Sequence, residues 1–288
     1  MSAMERIQDV GLLLRTAPEP TGFPQSMLFE SLAASPTGRF SRNLSTTLRL
    51  CERRQAWYRA YLVEMGEDRL PFVGSRLLAE RDRGTARSMR LSLFRSGRSV
   101  DGPARRGDLF DAVVEMVEAA GTLVMMDEPV AADLPSTLAA ALHDDFRGIT
   151  LVDDMAPVIF INGAQPPRER LLWLIRHLAL LWLGLSGVSR EAPRPEARCP
   201  VGRWCDEVAA DAVDRLTDLA YERALVLDDP TENDFSMRLS LRASRRFCRA
   251  LIASTLEGKT LYREAFQLLD VPGTDAFNAI RRSLGSEL

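Results

Sequence analysis

The chain has 288 residues, 46% of them hydrophobic and 27% charged, and 37 Lys and Arg stand against 40 Asp and Glu for a net charge of -3. This composition is that of an ordinary globular protein, for which disorder is not the default, and the near balance of charge offers no global attraction to nucleic acid or to an acidic membrane. Binding of either kind would need a local patch, and the length suits one large domain or two modest ones.

The opening, MSAMERIQDVGLLLRTAPEP, has a short apolar GLLL stretch but no basic start, no apolar core of signal-peptide length and no small-residue cleavage site. Secretion is not expected. Leu48, Leu50, Trp57, Tyr58, Tyr61 and Leu62 recur at three and four residue spacing among charged residues, which predicts a helix over 46–66. Pro71 and Gly74 in LPFVGS end that pattern. Residues 81–107 are rich in Arg and Gly and read as a linker with a short helix inside it.

From 108 to 120, DLFDAVVEMVEAA has one apolar face (Leu109, Val113, Met116, Val117, Ala120), an Asp to cap its start and Gly121 to end it, which predicts a helix. The runs 122–126 (TLVMM), 149–152 (ITLV) and 157–161 (PVIFI) are short, apolar and bounded by Gly, Pro or Asp, as buried strands are. Asn162 and Gly163 then mark a turn, and Pro166 to Arg170 opens a helix. That helix contains LLWLIRHLALLWLGL (171–185), which is interrupted by Arg176 and His177 and falls short of the roughly 20 residues that span a bilayer. It reads as a buried core helix, with no membrane partner expected.

A second long helix is expected over 202–227, where Trp204, Val208, Ala212, Leu216, Leu219 and Ala220 share a stripe and Asp228, Asp229 and Pro230 stop it. The last fifty residues read as two or three short helices separated by Gly258 and by the turn at Val271 to Asp275. Cys51, Cys199, Cys205 and Cys248 form no CxxC pair, so neither a disulfide framework nor a zinc knuckle is indicated, and a reducing cytoplasm fits best. The fold class is α+β, a small sheet packed on two long helices, divided into a mostly helical segment with its linker (1–100), a central domain (101–230) and a helical extension (231–288).

Taken in order, APVIFING, the helix bearing His177, WLGLSGVS and RWCDEVAAD make a strand, helix, loop, helix series. This resembles the core of the ImmA/IrrE family of zinc metallo-endopeptidases, in which a strand ending in IN leads to a helix bearing HExxH and then to a helix reading ExxCNxxAAE. CERRQAWYRAYLVEMGEDRLPFVGS and FRGITLVDDMAPVIFING resemble the longer members, which carry an Xre-type DNA-binding module, and the tail TLEGKTLYREAFQLLDVPGTDAFNAI is similar to their C-terminal extension. The resemblance implies a zincin-like domain that cleaves a repressor or antitoxin-like transcription factor, often in mobile elements or stress responses.

An HExxH helix works because histidines at i and i+4 point two imidazoles at one zinc while the Glu activates the bound water. Here the five residues are His177, Leu178, Ala179, Leu180 and Leu181, so the base position is Leu178 and the second ligand position is Leu181. The third ligand implied by the family falls at Gly202, with Glu207 or Asp211 as alternatives. One histidine and one carboxylate are short of the three protein ligands of a catalytic zinc, so no zinc and no other cofactor is expected. Leu178 and Leu181 would instead close the former site as apolar packing, each worth about 1.5–3 kcal/mol when fully buried.

The leading expectation is therefore an inactive pseudopeptidase that binds a protein partner, a transcriptional regulator or antitoxin-like protein, without cutting it. The alternative is a DNA-binding regulator. Arg238, Arg242, Arg245 and Arg249 recur at i, i+4, i+7 and i+11, a pattern that suits either a phosphate-tracking face or an ordinary solvated face paired with the acidic DDPTEND before it. LYREAFQLLD and DAFNAIRRSL also have helix-turn-helix proportions. A third reading keeps an active zinc peptidase with a non-standard site. His143 beside Asp144 and Asp145 forms no constellation alone, and no GxSxG, GxGxxG or P-loop occurs.

Overall fold

The structure, a computed structural model, describes residues 42–77, 109–127, 146–189, 200–222 and 242–285. The Arg-rich stretch 81–107, His143, residues 223–227 of the second long helix, the DDPTEND segment and Arg238 lie outside the described residues. Seven helices and one four-stranded mixed sheet are found among them.

Helix α1 (Arg42–Met65) buries Leu44, Leu48, Cys51, Arg54, Tyr58 and Leu62 along one stripe. Gly66 ends it with a φ of 72°, and the Glu67 N–H returns to the Leu62 carbonyl at 3.0 Å, the left-handed stop that glycine allows most readily. Helix α2 (Leu109–Ala119) then leads into strand β1 (Leu123–Asp127), followed by β2 (Gly148–Leu151), β3 (Val158–Asn162), helix α3 (Pro167–Trp182), β4 (Gly187–Ser189) and helix α4 (Pro200–Glu222). The chain closes with α5 (Arg245–Leu256), α6 (Tyr262–Leu269) and α7 (Thr274–Gly285). Three of the four strands match the apolar runs of the sequence; β4 is an addition.

The sheet order is β1-β3-β2-β4, with β1 and β3 parallel and the other two pairs antiparallel. Side chains alternate across it as the pleat requires. Val124, Met126, Ile159 and Ile161 face a core shared with α2, α3 and α4. Leu123, Met125, Val158, Phe160, Ile149 and Leu151 face a second core shared with α1, α5, α6 and α7. The sheet thus lies between two helical layers, and the second core draws on residues from all three segments marked in the sequence. Leu44, Phe160 and Phe247 belong to it together.

The turn after α1 docks on the end of α3. Gly74 N–H donates to the Leu181 carbonyl at 3.0 Å and Arg76 N–H to the Trp182 carbonyl at 2.9 Å, satisfying acceptors that a helix C-terminus leaves open. Gly184, at φ 69°, makes the approach possible, since a Cβ there would stand 3.1 Å from the Gly74 Cα.

Candidate functional site

Helix α3 starts as its sequence dictates, with Pro167 in the first turn, where a missing N–H is harmless, and Glu169 beside the positive helix end. Beyond that turn it is apolar nearly all round, because the sheet lies on one side and α4 and α2 on others. Two polar residues, Arg176 and His177, interrupt this surface, and they point in different directions.

His177 faces the sheet and is fully buried. Its Nδ1 lies 2.6 Å from Thr150 Oγ1, and its ring sits over Gly148 so closely that a Cβ there would meet Nε2 at 2.5 Å. Thr150 Oγ1 also lies 3.4 Å from the His177 carbonyl. If the hydroxyl proton goes to that carbonyl, Nδ1–H donates to Oγ1 and Nε2 is left as a bare lone pair, so that no buried proton lacks an acceptor. Among the described residues Nε2 has no hydrogen-bond partner. Burial, reinforced by the neighbouring Arg176 charge, holds the imidazole well below the ordinary histidine range, and the ring is neutral.

Arg176 faces α4 instead. Its Nε donates to Asp206 Oδ1 at 2.7 Å, its Nη1 to Ser189 Oγ of β4, and its guanidinium lies over the Trp173 ring at 5.3 Å. Adjacent helical residues are separated by about 100° around the axis, so a residue bonded to β2 and its neighbour bonded to α4 are what an α-helix produces. The residues one turn on are Leu181 behind His177 and Leu180 behind Arg176. Of the positions singled out in the sequence, His177 lies on the sheet side of α3, bonded to Thr150 of β2 rather than turned towards the helix that carries Gly202. The position opposite α4 belongs to Arg176, with Gly202 one turn before its partner Asp206.

Leu178 and Leu181 are buried in the same apolar cluster as Ile175, Trp204, Cys205 and Val208. Glu207 is exposed and Asp211 half-buried. Among the described residues no three His, Cys, Asp or Glu side chains gather to hold a metal ion. Zinc does not fit the residues present at either pair of α3 positions, because Arg176 has no lone pair to give and Leu180, Leu181 and Gly202 have no donor side chain. The sequence shows Arg176 only as an interruption of an apolar run. The signals that single it out are the Asp in RWCDEV and the Ser in SGVS, while the strand glycine at 148 marks the close approach of His177.

The arginine stripe is not one helical face. Ser244 has a φ of 70° and caps α5, accepting from the Phe247 N–H, so the helix begins after Arg242 rather than running through it. Arg245 is buried and paired to Glu115 of α2 at 2.8 Å. Arg246 donates to Tyr58 Oη at 2.7 Å and to the Glu118 carbonyl at 3.2 Å. Glu118 is itself buried, accepts from Ser244 Oγ and has its carboxyl pushed up by burial, with the Arg245 and Arg249 charges acting against that rise. These arginines fasten α5 to α2 and α1, and Arg245 does not reach a phosphate outside. No helix among the described residues is long and apolar enough to cross a membrane.

A family model for a domain of unknown function, DUF8813, matches residues 243–282, which span α5, α6 and most of α7. No curated protein and no solved structure matches the chain.

Proposed function

We propose that this chain is a non-catalytic relative of the ImmA/IrrE metallo-endopeptidases that binds a regulatory protein, of repressor or antitoxin-like kind, and leaves it intact. The single observation that carries this reading is Arg176, a fixed cation between α3, α4 and β4, bonded to Asp206 and Ser189. The frame of β3 ending in Ile161 and Asn162, then α3, β4 and α4, supports the zincin-like comparison. Within that frame a guanidinium stands where a metal ligand would have to face α4 and neutralises the α4 carboxylate, so the packed seam between α3 and α4 is closed by an ion pair in place of a metal.

Two experiments test the reading. Co-purification of the full chain with a candidate repressor is expected to return that repressor at full length, and recovery of cleaved repressor alone overturns it. Elemental mass spectrometry is expected to find zinc far below one per chain in the wild type. The triple variant Arg176→His, Leu180→His, Gly202→Glu is expected to take up about one zinc, completing the three-ligand set. A folded triple variant that stays free of zinc counts against the family resemblance.

A further inference from the structure

The entrance to α5 holds backbone strain that the α3–α4 seam does not explain. Among the described residues two non-glycines have a positive φ. Asp270 closes α6 at φ 58° and ψ 50°, inside the left-handed well that Asp enters readily. Ser244 stands at φ 70° and ψ 128°, outside the main regions open to a residue with a Cβ. Such a conformation persists only where its surroundings over-determine it, and residues of this kind gather at clamps and switch regions.

The surroundings of Ser244 hold it from two helices. It is fully buried, and its Oγ donates to the buried Glu118 carboxyl of α2. On one side of it the Arg242 carbonyl accepts from Arg54 of α1 at 2.8 Å. On the other side Arg245 pairs with Glu115 of α2, while Arg246 donates to Tyr58 of α1 and to the Glu118 carbonyl. The chain is gripped at 242, 245 and 246, and Ser244 takes up the twist between those grips. Glycine would adopt this φ without strain. It would also leave the Glu118 carboxyl without the hydroxyl that meets it, so the strained residue and its bond come as a pair.

We propose that Ser244 is a strained latch: its bond to Glu118 holds the start of α5 wound against α1 and α2, and breaking that bond opens the first turn of α5 while the rest of the molecule stays folded. This makes the corner a conformational device that couples α2 to the entry of the tail helices. It is separate from the α3–α4 seam and does not depend on the pseudopeptidase reading.

The test is hydrogen exchange of the full chain, read at the Cys248 amide. That N–H donates to the Ser244 carbonyl at 2.9 Å, a backbone bond that no side-chain change removes. Ser244→Ala and Ser244→Gly lose the same hydroxyl and deprive Glu118 of the same donor, so they differ only in the Cβ held at positive φ. The Cys248 amide of the Ala variant is expected to exchange at least about thirty-fold faster than that of the Gly variant, well beyond the roughly five-fold that separates Ala from Gly at an ordinary N-cap. Amides of α3 are expected to exchange alike in both. A smaller ratio overturns the proposal, because no strain is then stored at 244. So does equal exchange by wild type and the Ala variant, because the bond then latches nothing. Amides of α3 that speed up together with Cys248 overturn it as well, because the opening is then global.

Discussion

His177 and Arg54 are both buried titratable side chains, one on each side of the same sheet, and the protein accommodates them in opposite ways. His177 is neutral, bonded to Thr150 and fitted over a glycine. Arg54 is a buried guanidinium whose Nε donates to the Leu268 carbonyl and whose Nη1 donates to the Arg242 carbonyl, both at 2.8 Å, with the Asp270 carboxylate acting on it through space. Leu268 lies in the last turn of α6, where carbonyls lack helical partners and the helix dipole favours a positive charge. On the α3 side a polar residue has been made electrically inert, while on the α1 side a charge fastens distant pieces of chain. Burial alone therefore does not mark a functional site; the partners do.

Four measurements would break or sharpen that contrast. Replacing Arg54 with Met strips the buried Leu268 carbonyl and the half-buried Arg242 carbonyl of this donor, and urea unfolding is expected to show a loss of about 3 kcal/mol; a loss well under 1 kcal/mol would mean Arg54 fastens nothing. Gly148→Ala drives a methyl into the His177 ring and within 2.9 Å of the Phe160 carbonyl, with an expected cost of about 2 kcal/mol. Part of that cost should vanish in a His177→Ala background, and strict additivity in the double-mutant cycle would show that the ring is not what the methyl meets.

The third measurement is the pH dependence of stability. The folded pKa of His177 lies below its unfolded value of about 6.5, so the unfolded chain takes the proton first. The contribution of His177 is fully present above pH 6.5 and lost as pH falls below it, by up to about 1.4 kcal/mol per pH unit until the folded form also titrates. Glu118, with its carboxyl pushed up, has the opposite sign: its contribution is fully present below its unfolded value and lost as pH rises above it. The difference between wild type and His177→Leu isolates the histidine, and parallel curves for the two would refute its neutral burial. The smallest effect is expected for Arg176→Met, about 0.5 kcal/mol, because the ion pair with Asp206 is partly open to water.

The sequence makes much of this fold legible where periodicity is strong. α1, α2, α3 and the three apolar strands follow from spacing, from the stop at Gly121 and from the prolines that open α3, whereas the expected breakers Pro71 and Gly74 lie beyond Gly66, where α1 ends. β4 escapes because Gly187, Val188 and Ser189 make no apolar run; its pairing with β2 is a tertiary fact. The arginine stripe misleads because a periodicity count passes through Ser244 without registering that its backbone turns there. Arg54 stands on the stripe of Leu48, Cys51, Tyr58 and Leu62, and a charge at a core position of an amphipathic helix is the signal for it. The site is less legible than the fold, since which of Arg176 and His177 faces α4 depends on how the helix is rotated on the sheet.

The bond from Arg54 to Leu268 joins residues 214 apart in the chain. During synthesis α1 is among the earlier described segments to leave the ribosome, and the helix whose end it caps is among the last. At roughly 5–20 residues per second, α1 waits on the order of 10–40 s for that partner. Through that interval Leu44, Leu48, Tyr58 and Leu62 lack the α5 and α6 side of their core, and that face of α1 is open to mispairing.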